Sequence, residues 1–363
     1  MAYLSVAEIE SAIQQLAAAY PAHCSAVELP NATHEGRKIF ALRLSWTDKA
    51  PAALFLGGVH SREMMPPDLL ISLAADLLEA HKLGTGLRYG GRYFTADEIK
   101  ALTAAVSLYL IPCVNPDGRN HVIESDANWR KNRNPKHGAG SSPCCGVDLN
   151  RNFPFLWDHR GKFAPTADVA TSDNPCDKFV YRGDQEASEP ETQNVIHLLD
   201  AEPGIRWMID VHSAVPAIYH TWGSDEPQST DKTMNFRNPA FDGKRGLPGD
   251  AAYKEFMPEA DLAAARELAL LMQQAVKDVR GDEYEVAPSF TLYPTSGASD
   301  DYAYSRHFAD PAKSKTLAYT IECGRAFWPE WAEAENVIRE TSAGLIAFLL
   351  AAPKETAGLF IEV

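Results

Sequence analysis

AALFLGGVHSREMMPPDLLISLAADLLEAHK, residues 52–82, changes its hydrophobic period partway along. Residues 52–58 form a short unbroken apolar run ending in two glycines, the pattern of a strand buried on both faces. Residues 66–82 space their apolar side chains as a helix does. The turn between them carries His60, Ser61, Arg62 and Glu63. The same alternation continues in both directions. KIFALRLS (38–45), SLYLIPCV (107–114), IRWMIDVH (205–212) and LAYTIECG (317–324) read as further strands. Three Ser/Thr-x-x-Glu capping boxes, Ser5 with Glu8, Thr95 with Glu98 and Ser188 with Glu191, predict helices near 6–20, 96–104 and 189–200. Helical patterns at 258–280 and 330–351 complete the set. Strands alternating with helices over the whole length predict an α/β layer structure around one central sheet, not two joined domains. The polar stretches 130–185 and 223–257 read as long ordered loops, which in a compact domain are usually functional.

Composition narrows the function classes. The 363 residues are 45% hydrophobic, enough for a sizeable core, and carry 34 Lys and Arg against 49 Asp and Glu, a net charge of −15. That balance, spread through the chain, argues against a nucleic-acid partner. No run of about 18 apolar residues is present, so no membrane span is expected. The first 16 residues lack the basic and apolar blocks of an export signal and suit an amphipathic helix. Six cysteines form no C-x-x-C pair, and as residues they read mostly as buried thiols.

Several strands end in ionisable side chains. Residues 52–58 run into His60 and Glu63, 205–210 into His212, and 317–321 into Glu322. Ligand sites in open α/β sheets gather at the carboxyl ends of strands, so residues far apart in sequence can converge there. His60 and Glu63, three apart, can reach one metal ion; His212 would complete two histidines and a carboxylate with one position open, the ligand set of a catalytic zinc. Taken singly, each histidine reads as readily as a hydrogen-bonded structural residue.

Seven segments together resemble the successive motifs of the zinc metallocarboxypeptidases related to pancreatic carboxypeptidases A and B: GGVHSREMMPP (57–67), NPDG (115–118), WRKNRNP (129–135), GVDLNRNF (146–153), DVHSA (210–214), TLYPTSGASDDYAY (291–304) and YTIECG (319–324). They occur in the family's order and cover nearly the whole chain. The resemblance implies one catalytic domain over 1–363, with a central, mixed, mostly parallel sheet flanked by helices. It implies one zinc ion per chain held by His60, Glu63 and His212, with Asp148 bonded to the outer ring nitrogen of His60. Glu322 becomes the general base that takes a proton from the attacking water and passes it to the leaving amine. Arg130 faces the developing oxyanion. Asn150 and Arg151 bind the terminal carboxylate of the substrate, Tyr293 closes over its last residue, and Arg62 contacts it further upstream. Lys131 and Arg133, beside Arg130, stay a solvated basic loop.

By the same resemblance Asp300 occupies the floor of the pocket for the terminal side chain and Gly223 its wall. A carboxylate there favours a C-terminal Lys or Arg. Cys144 and Cys176 match a family disulfide position, with Cys145 as a competing partner, and that pairing favours an exported mature protein, the cytoplasm being the alternative. Residues 225–260 read as an insertion that builds part of the rim. The expected partner is the C-terminus of a peptide or protein, and the chain is expected to be a monomer. Two other readings share the scaffold: a hydrolase of cell-wall or modified peptides, and an inactive metal-free binding protein.

Overall fold

The computed structural model describes residues 3–47 and 50–360. In chain order its strands are β1 (Cys24–Glu28), β2 (Phe40–Leu44), β3 (Ala52–Gly57), β4 (Leu87–Tyr89), β5 (Arg92–Phe94), β6 (Ser107–Ile111), β7 (Ile205–His212), β8 (Ala217–His220), β9 (Pro227–Gln228), β10 (Glu255–Phe256), β11 (Glu285–Pro288) and β12 (Leu317–Glu322). The helices are α1 (Val6–Ala19), α2 (Met65–Leu83), α3 (Ala96–Ala105), α4 (Pro116–Glu124), α5 (Pro190–Ala201), α6 (Glu259–Arg280), α7 (Ser299–Ala309) and α8 (Trp331–Glu355). Eight strands form one sheet in the order β1-β2-β6-β3-β7-β12-β8-β11; β4 with β5 and β9 with β10 form separate two-stranded ladders.

The middle of that sheet decides where the chemistry sits. β3 pairs in parallel with both β6 and β7, and β7 pairs in parallel with β12. Their carboxyl ends therefore lie side by side. Residue by residue, Gly57 is opposite Val211, and Glu322 is opposite His212. β3 is buried along its full length, as its unbroken apolar composition requires. β1, β2 and β8 join in antiparallel fashion, which makes the sheet mixed. No helix among the described residues is long and apolar enough to cross a membrane.

The capping boxes at Ser5 and Thr95 form as expected and start α1 and α3. The third does not form. α5 begins at Pro190, Ser188 Oγ donates to Glu189 Oε1 at 2.6 Å, and Glu191 accepts from Asn132 Nδ2 at 3.0 Å. Both carboxylates are buried, and the side-chain amides of the 132–134 loop outcompete the helix terminus for them. Sequence periodicity also missed α4 and α7, short helices with polar first turns, and the brief strands β1, β8 and β11.

Candidate active site

The turn after β3 is built for sharp reversal. Gly58 has φ of +63°, and a Cβ there would meet Pro67 Cγ at 3.1 Å, so glycine meets both demands. The turn is then pinned from across the chain. Ser61 N donates to Arg130 O at 3.1 Å, and Ser61 Oγ donates to Trp129 O at 2.8 Å. This locks the segment bearing His60 and Glu63 to the loop bearing Arg130.

His60, Glu63 and His212 converge below the strand ends, each no more than 3% exposed. His60 Nδ1 lies 2.7 Å from Glu63 Oε1, His212 Nδ1 lies 2.9 Å from Glu63 Oε2, and the two Nδ1 atoms are 3.0 Å apart. Each ring turns its other nitrogen to a buried carboxylate: His60 Nε2 is 3.1 Å from Asp148 Oδ1, and His212 Nε2 is 3.0 Å from Asp210 Oδ2. An ionised carboxylate only accepts, so the outer nitrogen of His60 carries its hydrogen and its Nδ1 lone pair faces inward, and the approach of Asp210 favours the same tautomer for His212. Two lone pairs and a carboxylate crowded into one buried spot repel one another unless positive charge joins them. The electrostatics agree. Burial opposes protonation of His212, yet Asp210 and Glu63 outweigh it and raise its pKa well above the ordinary range. Burial likewise opposes ionisation of Glu63, and the two histidines overcome it and hold the carboxyl below the usual range. A donor set of two imidazole nitrogens and one carboxylate suits zinc.

Asp148 serves two partners at once. Besides facing His60, its Oδ2 accepts from Arg130 Nη2 at 2.9 Å and Nε at 3.1 Å. Its Oδ1 also accepts Asn150 N at 3.0 Å, which starts the short turn Leu149–Arg151. Burial would raise the Asp148 pKa, but Arg130 and His60 hold it well below the carboxylate range. Phe179 O accepts the Arg130 Nε–H at 3.0 Å.

Above these groups opens a cleft lined by His60, Arg130, Asn150, Arg151, Tyr293, Thr295, Asp300 and Glu322, together with Tyr219, Ser289, Leu292, Ala298 and Thr320. Burial, reinforced by Glu63 and partly offset by His212 and Arg130, pushes the Glu322 carboxyl up to about 8. Asn150 is fixed through its Oδ1, which accepts Ser299 N at 2.8 Å. Arg151 is buried, donates to Ala170 O, and stacks 5.8 Å from the Tyr293 ring, which is itself exposed. Asp300 Oδ2 accepts from Ser289 Oγ at 2.7 Å and Thr320 Oγ1 at 3.2 Å. Burial raises its pKa, and its partners are hydroxyls and a backbone N–H, not a cation of the described residues.

Two expected residues stand outside the cleft lining. Gly223 lies behind Thr295 and donates its N–H to Asp301 Oδ1 at 2.8 Å. A Cβ at 223 would meet Thr295 Oγ1 at 2.6 Å. Arg62 is held between aromatic rings, 4.2 Å from Phe327 and 5.1 Å from Phe179. The solvated basic loop expected at Lys131 and Arg133 is corrected by the structure: they are 1% and 7% exposed, Lys131 bonded to backbone carbonyls and Arg133 stacked on Trp129. Sequence reading also missed Asp210. It stands two before His212 on β7, and side chains at i and i+2 of a strand share a face, so the pattern Asp-x-His held the signal.

A sequence model of the zinc carboxypeptidase family matches residues 9–344. Carboxypeptidase B of Astacus astacus is 27% identical over 320 residues, covering 87% of this chain and 84% of its own. Carboxypeptidase A4 of Mus musculus is 28% identical, covering 84% of this chain but only 60% of its own length. Among solved structures, carboxypeptidase A from Helicoverpa armigera superposes with a TM-score of 0.71 at 23% identity, over 97% of this chain and 74% of the other. Bovine thrombin-activatable fibrinolysis inhibitor, solved with a tick carboxypeptidase inhibitor, superposes with a TM-score of 0.70 at 21% identity, over 96% of both chains. These likenesses bear out the α/β fold with its mixed sheet.

Proposed function

Because the chain belongs to the zinc carboxypeptidase family, we propose that it hydrolyses the last peptide bond of polypeptides and prefers a C-terminal Lys or Arg. One observation carries the reading: a buried His60–Glu63–His212 cluster demanding positive charge opens into the same cleft as Glu322, Arg130, Arg151 and an Asp300 that no cation of the described residues pairs with. His60, Glu63 and His212 would hold one zinc ion per chain. When bound there, zinc supplies Lewis acidity toward the scissile carbonyl and the attacking water.

The chain's own residues divide the remaining tasks. Glu322 takes the proton of the attacking water and returns it to the leaving nitrogen. Burial beside Glu63 raises its pKa above the usual carboxylate range, the direction that favours handing the proton on to the leaving nitrogen. Arg130, clamped by Asp148, presents its guanidinium to the oxyanion of the tetrahedral intermediate. Asn150 and Arg151 receive the free carboxylate of the substrate, and the exposed Tyr293 closes over the terminal residue. Asp300 pairs with the cationic side chain; Gly223, lacking a side chain, leaves room for Thr295 at the pocket wall. Arg62, between its two aromatic rings, meets the substrate upstream. The Cys144–Cys176 bond spans a sequence separation of 32, worth about 3.7 kcal/mol by chain entropy, and supports an exported enzyme. Hydrolysis rates for matched blocked dipeptides ending in Arg, Lys and Phe test the proposal. Release of Arg and Lys at least about tenfold faster than Phe is expected, and faster release of Phe would refute the basic preference.

A further inference from the structure

Lys131 follows Arg130 in the chain, yet it takes no part in the roles above. Its ammonium donates to three backbone carbonyls: Asp177 O at 2.7 Å, Pro143 O at 2.8 Å and Pro175 O at 3.2 Å. An ammonium has three protons, and all three are spent on carbonyls. The Tyr181 ring stands 5.9 Å away, closing the cage. Burial alone accounts for the depression of its pKa to about 8, since the nearby Cys145, Asp177 and Asp148 act in the opposite sense.

The identity of the carbonyls matters. Pro143 precedes Cys144, Pro175 precedes Cys176, and those two cysteines are bonded. Lys131 therefore gathers the backbone at both feet of the disulfide. The same segment continues into the residue that steers Arg130. Asp177 Oδ1 accepts Phe179 N at 2.8 Å and Val180 N at 3.0 Å, and Phe179 O accepts the Arg130 Nε–H. Beneath, Arg130 O and Lys131 O are tied to Ser61, in the turn that bears His60 and Glu63. The Arg130 guanidinium thus has two fixed points, the Asp148 carboxylate and the Phe179 carbonyl. The second exists only while the 175–179 segment is held.

We infer that Lys131 is a positioning residue: anchored in the carbonyl cage at the feet of the Cys144–Cys176 bridge, it holds the 175–179 segment so that Phe179 aims Arg130 at the oxyanion. The inference rests on the reading of Arg130 given above. A neutral side chain at 131 removes the donor shared by three part-buried carbonyls, and the 175–179 segment loses its tether to residue 131 and to the 143 loop. Arg130 then keeps its charge and its Asp148 pair but loses its aim.

The test is a double-mutant cycle on the zinc-loaded full chain with a peptide ending in Arg, using Lys131→Met, Arg130→Ala and the pair. Lys131→Met is expected to lower kcat by about 10–100-fold, with KM within about twofold and zinc content unchanged. Arg130→Ala is expected to cost about 10²–10³-fold. The double variant should be no slower than Arg130→Ala within about twofold, because Lys131 acts through Arg130. Losses that multiply, or an unchanged kcat in Lys131→Met, overturn the inference while leaving Arg130 its role. Full kcat in Arg130→Ala overturns both. Should Lys131→Met fail to accumulate folded, the Cys144→Ser/Cys176→Ser variant carries the same cycle, and its losses must likewise collapse onto the Arg130→Ala rate.

Discussion

The metal cluster and the substrate clamp share one cleft and are held in contrasting ways. His212 ends β7, and His60 and Glu63 stand in the turn that follows β3, two strands paired in parallel from Ala53 to Gly57, and the outer nitrogens of both histidines face buried carboxylates. Arg130, Asn150 and Arg151 stand on loops and turns and owe their places to individual side-chain bonds, Tyr293 meets the Arg151 guanidinium, and Asp300 lies in the first turn of a short helix. The sheet fixes His212 by register and launches the turn bearing His60 and Glu63, which the Ser61 bonds then pin. The second is fixed by local contacts and, at Asn150 and Arg151, by a disulfide that closes the loop bearing them. Substitutions among the strand-borne groups should therefore remove a chemical function and leave geometry intact, whereas substitutions in the clamp should alter which substrate is accepted or how it is aimed.

The largest separation between the two regions is expected at Glu322, which is at a strand end but has no ligand role in this account. Glu322→Gln should lower kcat by about 10³-fold with zinc content unchanged by atomic absorption. Loss of metal in proportion to loss of rate would move Glu322 into the ligand set. In the clamp, Asp300→Asn should lower kcat/KM for Arg-terminated peptides by about 10–100-fold and leave Phe-terminated peptides near their original rate. An equal loss on both would make Asp300 a structural carboxylate. Back at the strand ends, Asp210→Asn should weaken zinc affinity by about 10–100-fold, with activity recovered in excess zinc. Activity that stays low at saturating zinc would place Asp210 in the reaction itself.

The smallest effect is expected at a residue outside both groups, in the 225–260 insertion. Glu255 is fully buried, accepts from the Tyr253 hydroxyl at 2.6 Å, and burial pushes its carboxyl up to about 8. A carboxyl whose pKa is higher folded than unfolded binds its proton more tightly in the native state, so its contribution to stability is present below the unfolded value, near 4, and is lost as pH rises toward 8. Glu255→Gln should accordingly gain Tm relative to the parent as pH is raised from 5 to 8 in thermal melts. A difference that stays flat across that range would refute the assigned shift.

Much of this division was legible in the sequence. His60, Glu63, His212 and Glu322 could be singled out because apolar strand runs lead into ionisable residues; each histidine alone reads as readily as a structural one, and only their combination pointed to a metal. Asp148, Asn150 and Arg151 were reached only through the resemblance, since a loop of Asp, Asn and Arg reads locally as a turn. Lys131 was misread because its cage is assembled by residues 12, 44 and 46 positions away, and no local pattern encodes such partners. Ser188 was misread for the converse reason: a sound local capping signal lost to buried amides brought in by Asn132 and Asn134. α7 stayed hidden because its first turn carries Asp300 and Asp301, two buried carboxylates that mask helical periodicity.

The central claim is that His212 at the end of β7 and His60 and Glu63 in the turn after β3 hold one zinc ion at the base of this cleft. An anomalous difference map at the zinc absorption edge, from crystals grown with the metal, tests it most directly. The account predicts one strong peak per chain at about 2.0–2.2 Å from His60 Nδ1, His212 Nδ1 and a Glu63 oxygen. A peak bound elsewhere, with the two imidazoles turned away from each other, would contradict it.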